Sequence, residues 1–128
     1  MSRAASASPT AALADYLDEK ARAVRALEAE ADTAIHGQND QAGYEALMRR
    51  KAQLLADLAA DAAPLVSALG TGMLSAASER LAGFSRNAQN ALRIGSVFYM
   101  SALLYPDDYK PGEPNNLELL AAEVRGWA

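Results

Sequence analysis

The chain has 128 residues and a net charge of −4, from 12 basic and 16 acidic side chains. An acidic balance without a dense basic stripe argues against a nucleic-acid surface, and the absence of Cys excludes disulfides, thiolate catalysis and zinc–thiolate sites. Hydrophobic residues make up 51% of the chain and aromatic residues 6%. Because Ala and Leu dominate that hydrophobic fraction, the composition predicts an all-α fold.

The first predicted helix covers roughly residues 9–36. Residues 1–8 are predicted to be a disordered N-terminus, because they lack the continuous apolar run of a secretory signal. Ser8 is a suitable N-cap and Pro9 suits the first helical position. An apolar stripe at three- and four-residue spacing follows it, at Leu13, Leu17, Val24, Leu27 and Ala31, with Lys20 at the position between Leu17 and Val24.

The second predicted helix starts near residue 41, with Asp40 as its N-cap. Its seam comprises Tyr44, Met48, Lys51, Leu55, Leu58, Ala62, Leu65 and Leu69. Pro64 interrupts the helix but not the phase of the seam, which favours a kinked helix continuing to about residue 69. In the alternative interpretation, this helix ends near residue 62 and the third begins at Pro64.

The third predicted helix runs from about residue 74 to 105 and ends before Pro106. Its seam comprises Leu74, Ala77, Leu81, Phe84, Ala88, Ala91, Gly95, Phe98, Ala102 and Tyr105. Three long helices with short connections predict an antiparallel up-down-up bundle over residues 9–105. A Pro-rich linker at 106–114 then leads to a short helix at 115–128, which is predicted to start with an Asn115–Glu118 capping box and to pack on the end of the third helix.

No pattern of catalytic or metal-binding residues is evident. His36 is the only His, and its position before Gly37 at a helix end is typical of a surface residue. There is no pair of Glu-x-x-His motifs for a di-iron site, and the Gly-Thr-Gly at 70–72 has neither the Lys nor the preceding strand of a phosphate-binding loop. We therefore expect no catalytic residues, no metal, no cofactor and no enzymatic activity.

The clearest functional signal is the uncharged stretch from Ile94 to Pro106. It is shorter than the ~20 residues needed to cross a bilayer, so we expect no membrane partner. With Ala88 and Gly95 at the same seam position, the outermost position of the third helix is occupied by Glu79, Arg86, Arg93 and Met100. The outer face thus changes from charged to apolar after Arg93.

A helix that is apolar on every side must be covered. The predicted partner-binding residues of this segment are Val97, Tyr99, Met100, Leu103 and Leu104. Three covers are compatible with the sequence: the C-terminal helix of the same chain, a second copy in a homodimer, or an amphipathic helix of another protein. These covers can coexist, because a short helix at 115–127 on a linker is expected to act as a lid that a partner displaces.

The order of these features resembles the FlgN-type flagellar export chaperones. The resemblance rests on a helical hairpin at 27–58, the Asn87-x-x-Asn90 pair, and the "LYPDDYKPG" turn at 104–112. It implies a cytoplasmic, coiled-coil-like protein that shields an amphipathic helix of a hook–filament junction subunit, with Asn87 and Asn90 among the partner-binding residues. The alternative is a structural homo-oligomeric bundle with the C-terminal helix as permanent core cover. Either a monomer or a homodimer is compatible with the sequence.

Overall fold

The computed structural model describes residues 8–127, so the predicted disorder of residues 1–7 lies outside the described residues, as does the position of residue 128. Within residues 8–127 the elements are α-helices joined by turns, without β-strands. The helices are α1 (Pro9–Asp32), α2 (Gln41–Ser67), α3 (Thr71–Ile94), α4 (Val97–Ala102) and α5 (Asn116–Arg125). A π-helical turn at Thr33–Gly37 continues α1. The all-α prediction is confirmed.

The predicted helix starts are confirmed by their capping hydrogen bonds. Ser8 Oγ accepts from the Ala11 amide at 3.0 Å, and Asp40 Oδ1 accepts from the Gly43 amide at 2.9 Å. At the start of α5 the Asn115 side chain and the Glu118 side chain cap each other's backbone amides. These caps satisfy amides that have no partner within the helix, and they fix where each helix begins.

Helix α2 passes through Pro64 without a break and ends at Ser67, which confirms the continuous interpretation over the one that starts a new helix at Pro64. Six of its eight predicted seam residues are buried, with Leu55 and Leu58 at the centre, whereas Tyr44 and Leu65 are half-buried and Val66 is buried after Pro64. The small residues Ala88 and Ala91 of α3 are buried as well. A stripe of small residues allows the close approach of two helix backbones.

Ser85 of α3 shows how close that approach to α2 is. Its hydroxyl donates to the carbonyl of Leu55 at 2.9 Å and accepts from the amide of Ala59 at 3.0 Å. These are the two groups that pair with each other in a regular α-helix. A side chain of α3 is thus bonded directly to the backbone ladder of α2.

The prediction of one continuous third helix is wrong, because α3 ends at Gly95. Gly95 has φ +75°, in the left-handed region, and the Ser96 amide donates back to the Ala91 carbonyl at 3.2 Å. This is the hydrogen-bonding pattern of a helix C-terminus with glycine. Ser96 then caps α4 by accepting from the Tyr99 amide at 3.1 Å. The seam register therefore does not extend beyond residue 94.

Helix α5 uses α1 as its main packing partner. The sequence predicts packing on the end of the third helix, but α5 approaches that region through Asn116 at its own start. Its apolar face joins the same buried cluster as Leu13 and Leu17 of α1, and the α5 members of that cluster are Leu117, Leu120, Ala121 and Val124. Packing along α1 buries that whole face, whereas the end of a helix would cover one turn.

Candidate functional site

The break at Gly95 determines which side chains of α4 are buried. Met100, predicted to be outermost, is 0% exposed and packs with Ala31, Met48 and Ala91. Phe98, predicted to lie in the seam, is 74% exposed. The two residues have exchanged their predicted environments because Gly95 redirects the chain before α4 begins.

Three exposed apolar side chains lie where α3 ends and α4 begins. Ile94 is 57% exposed and Tyr99 is 53% exposed, and the rings of Phe98 and Tyr99 are 5.9 Å apart between centroids. We call Ile94, Phe98 and Tyr99 the α3–α4 patch. Single exposed hydrophobic residues are common on protein surfaces, but adjacent ones mark interaction sites.

Two members of this patch, Ile94 and Tyr99, also line a groove of about 380 Å³ between α3, α4 and the start of α5. It brings together five of the seven predicted partner-binding residues: Asn87, Asn90, Tyr99, Leu103 and Leu104. The other residues around it are Ala91, Ile94, Ala102, Tyr105 and Asn116. The groove thus combines an apolar wall with three amide side chains.

The other two predicted residues lie elsewhere. Met100 is buried in the core, so it cannot contact a partner, and our prediction for it is not compatible with the structure. Val97 is half-buried and packs against the cluster that contains Met100. Leu104, although part of the groove, is largely buried and has φ +78°. Tyr99, Leu103 and the two Asn residues are thus the predicted residues most accessible from the groove.

The end of α4 is held by a buried polar cluster that the sequence did not predict. Lys51 is 0% exposed; its Nζ donates to the Ser101 carbonyl at 2.9 Å and lies 2.9 Å from Oε2 of Glu28. Glu28 Oε2 is buried, so the Lys51 ammonium is the counter-charge of this carboxylate. Tyr105 donates its hydroxyl to Glu28 Oε1 at 2.6 Å, and its ring lies under the Lys51 ammonium at 5.0 Å.

Burial and the Glu28 carboxylate oppose each other at Lys51 but act together at Tyr105. Burial lowers the pKa of Lys51, and the nearby Glu28 carboxylate offsets part of that effect. Burial also raises the pKa of Tyr105, and the hydrogen bond to Glu28 raises it further. Both shifts follow from placing ionisable groups where water is scarce. The phenol of Tyr105 is therefore neutral and acts as a hydrogen-bond donor.

A second polar cluster connects the segment after α4 to α1. Arg25 forms a two-pronged contact with Glu118, with Nη2 2.7 Å from Oε1 and Nε 3.1 Å from Oε2. The same guanidinium donates to the Glu113 carbonyl at 3.2 Å and to the Tyr109 hydroxyl at 3.4 Å. Hydrogen bonding to Arg25 lowers the pKa of Glu118. These bonds fix the non-helical segment between α4 and α5 against α1.

A larger cavity, of about 520 Å³, lies next to the Lys51 cluster and reaches the π-helical turn. His36 and Asp32 are on its wall, 3.6 Å apart between Nε2 and Oδ1, and both side chains are largely exposed. Lys51, Glu28 and Tyr105 also border it, but their polar atoms are already engaged with one another. Between residues 8 and 127 no group of three His, Asp or Glu side chains is placed to hold a metal ion.

None of the described helices is both long and apolar enough to cross a membrane. Comparison with models of protein families, with curated proteins and with solved structures found no match. The features of this chain that bear on its function are therefore the groove, the α3–α4 patch and the two polar clusters.

Proposed function

We propose that this chain is a non-catalytic protein-interaction protein that binds an amphipathic helix of a partner in the groove beside the α3–α4 patch. The observation that carries the proposal is that two exposed apolar residues, Ile94 and Tyr99, line that groove, with the exposed ring of Phe98 next to that of Tyr99. An amphipathic helix binds by laying its apolar face into such a groove, with apolar side chains repeating every three or four residues. The amides of Asn87 and Asn90 are placed to contact the polar edge of that helix.

We further infer that α1, α2 and α3 form the antiparallel up-down-up bundle predicted from the sequence. Two observations support this arrangement. Glu28 of α1 contacts Lys51 of α2, and Ala31 three residues later shares a cluster with Met48 three residues earlier. The connections from α1 to α2 and from α2 to α3 are short, which favours antiparallel neighbours.

Helix α5 is a permanent part of the core in this proposal, and not a displaceable lid. Leu117, Leu120 and Val124 are each 0% exposed, and the Asn116 amide donates to the Leu104 carbonyl at 3.0 Å. Releasing α5 would expose three large side chains, each worth about 1.5–3 kcal/mol of burial. A partner therefore binds beside α5 and does not replace it.

The resemblance to FlgN-type flagellar export chaperones gives this proposal its most specific form. The partner would then be a helical end of a hook–filament junction subunit, and the chain would act in the cytoplasm. In this form of the proposal the partner contacts four predicted residues that border the groove: Tyr99, Leu103, Asn87 and Asn90. The alternative is a structural homo-oligomer with α5 as permanent core cover. The burial of Leu117, Leu120 and Val124 favours α5 as permanent core cover but does not bear on the homo-oligomer.

To test the proposal, a random display library of peptides is selected for binding to the immobilised protein. The peptides are about 15 residues long, which corresponds to about four helical turns. Peptide affinity is then compared for the wild type, the F98S/Y99S variant and the control L119S, which changes an exposed Leu outside the groove wall. Loss of a central anchor at an interface costs about 2 kcal/mol or more, so we expect about thirtyfold weaker binding to F98S/Y99S. The control should bind as the wild type does.

Thermal unfolding of the three proteins separates binding from folding. Both Phe98 and Tyr99 are more than half exposed, so F98S/Y99S should melt close to the wild type. Selected peptides that bind all three proteins equally would contradict the proposal. A concentration-dependent dimer in light scattering that F98S/Y99S abolishes would instead support the homo-oligomer.

A further inference from the structure

The charge carried by the part of α3 and α4 that lines the groove is opposite in sign to that of the whole chain. Between Arg80 and Pro106 the sequence contains Arg80, Arg86 and Arg93 and no acidic residue, although the chain carries a net charge of −4. Arg80 is paired with Glu123 of α5 at 2.9 Å. Among the described residues, neither Arg86 nor Arg93 has a carboxylate within 4.0 Å.

Arg86 and Arg93 are not part of the groove wall, but they lie about one helical turn on either side of Asn90, which is. The spacing of residues 86, 90 and 93 places the three on one face of α3, and Asn90 is part of the groove wall. Arg93 Nη2 donates to Asn90 Oδ1 at 3.4 Å. The groove wall itself includes no charged residue among residues 8–127. Along α3, the exposed guanidinium groups of Arg86 and Arg93 are therefore the charges closest to the groove.

We infer that the groove takes an acidic amphipathic helix of another protein, whose Asp or Glu side chains lie beside its apolar face and meet Arg86 and Arg93. This inference rests on the proposed function and names the chemistry of its partner. Complementary charge around an apolar contact favours the correct partner and excludes a basic one. Guanidinium groups also form two-pronged contacts with carboxylates, which orients the bound helix.

The same charges argue against a second copy of this chain as the occupant. In a symmetric dimer through the α3–α4 patch, each patch contacts its own counterpart, so Arg86 and Arg93 of both copies would be brought together. A non-symmetric contact would need a second apolar surface on the chain. Among residues 8–127 the exposed large hydrophobic residues are the α3–α4 patch and Leu119, so no separate apolar surface of comparable size is present there.

The test uses the same random peptide library on two proteins, the wild type and R86E/R93E. We expect peptides selected by the wild type to be enriched in Asp and Glu beside their apolar residues, and those selected by R86E/R93E to be enriched in Lys and Arg. Each exposed ion pair contributes little, so reversing both charges should weaken an acidic wild-type-selected peptide about three- to tenfold, and added salt should reduce that difference.

The outcomes separate this inference from the proposed function. Selected peptides that depend on Phe98 and Tyr99 but show no acidic excess would overturn the charge inference and leave the groove function intact. Selected peptides that bind F98S/Y99S as tightly as the wild type would overturn both the charge inference and the groove function. R86Q/R93Q is the matched control, because it removes the charge without reversing it and should bind acidic and basic peptides with similar affinity. If R86Q/R93Q still binds acidic peptides more tightly than basic ones, other residues cause that preference, and the role of the two arginines is refuted.

Discussion

Replacing Lys51 by Met tests how the end of α4 is held. Met fills a similar volume but removes the ammonium, so Oε2 of Glu28 loses its counter-charge and the Ser101 carbonyl loses its donor. Breaking a buried ion pair from one side typically costs 3–5 kcal/mol. Glu28 is 19% exposed and keeps the hydrogen bond from Tyr105, which reduces the penalty. We expect K51M to lower the free energy of unfolding by about 2–3 kcal/mol.

The double variant K51M/E28Q separates lost attraction from an unpaired charge. Gln at position 28 is neutral and still accepts from the Tyr105 hydroxyl. E28Q alone leaves the Lys51 ammonium buried without its counter-charge and should cost about 3 kcal/mol. With both charges removed, no unpaired ion remains, so K51M/E28Q should be within about 1 kcal/mol of the wild type. The double-mutant cycle then gives a coupling of several kcal/mol.

Urea unfolding followed by far-ultraviolet circular dichroism measures these differences. The expected result is a lower midpoint for each single variant, a near-normal midpoint for K51M/E28Q, and an unchanged slope with urea. If each single variant costs less than about 0.5 kcal/mol and the cycle shows no coupling, the pair behaves like a solvated surface contact. That result would refute the reasoning from burial.

Two further predictions follow from Gly95 and Glu118. G95A should lower the free energy of unfolding by about 1 kcal/mol, because Ala is strained at the φ of +75°. An added Cβ meets nothing within 4 Å, so no steric clash adds to that backbone cost. If G95A is instead more stable than the wild type in urea unfolding, the third helix is continuous. E118Q should cost about 0.5–1 kcal/mol at neutral pH, because Gln keeps the cap but loses the charge that pairs with Arg25. Pairing lowers the pKa of Glu118 below its ordinary 4.5, so its stabilisation is present above that pH and is lost as pH falls through the folded-state pKa. The gap between wild type and E118Q in urea unfolding should therefore narrow in acid; a gap of equal size at neutral and acidic pH would contradict this.

Helix starts and the seams of α1 and α2 were predictable because their causes are local. A cap such as Ser8 or Asp40 acts within three residues, and the apolar period of α2 persists through Pro64. These signals can be read from a short window of sequence. The start of α5 was predicted from Asn115 and Glu118 for the same reason.

The break at Gly95 was not predicted, although a local signal was present. A small residue in the seam is equally compatible with close helix packing and with a left-handed helix end, and the preceding Ala88 and Ala91 favoured packing. Ser96 directly after Gly95 was the signal that could have decided, because Gly followed by a capping residue is typical of one helix ending and another beginning. The register error at Phe98 and Met100 follows from that single misassignment.

The polar clusters could not be predicted because their partners are distant in the sequence. Glu28 is 77 residues from Tyr105, and Arg25 is 93 residues from Glu118. Nothing in the local pattern distinguishes Lys51 from a lysine whose stem covers a helix seam while its charge reaches water. Its burial depends on α1 and α4 closing over α2, which is a tertiary effect.

These clusters explain how the protein can expose Phe98 and Tyr99 without losing order in α4. A six-residue helix has little stability of its own, and two exposed aromatic side chains contribute little burial. The helix is held instead by Met100 in the core and by Lys51 at the Ser101 carbonyl. Because Met100 and Ser101 directly follow Phe98 and Tyr99 in α4, these contacts present the patch on a fixed support. A partner then loses less free energy to ordering the site when it binds, so a small apolar area can support a specific contact.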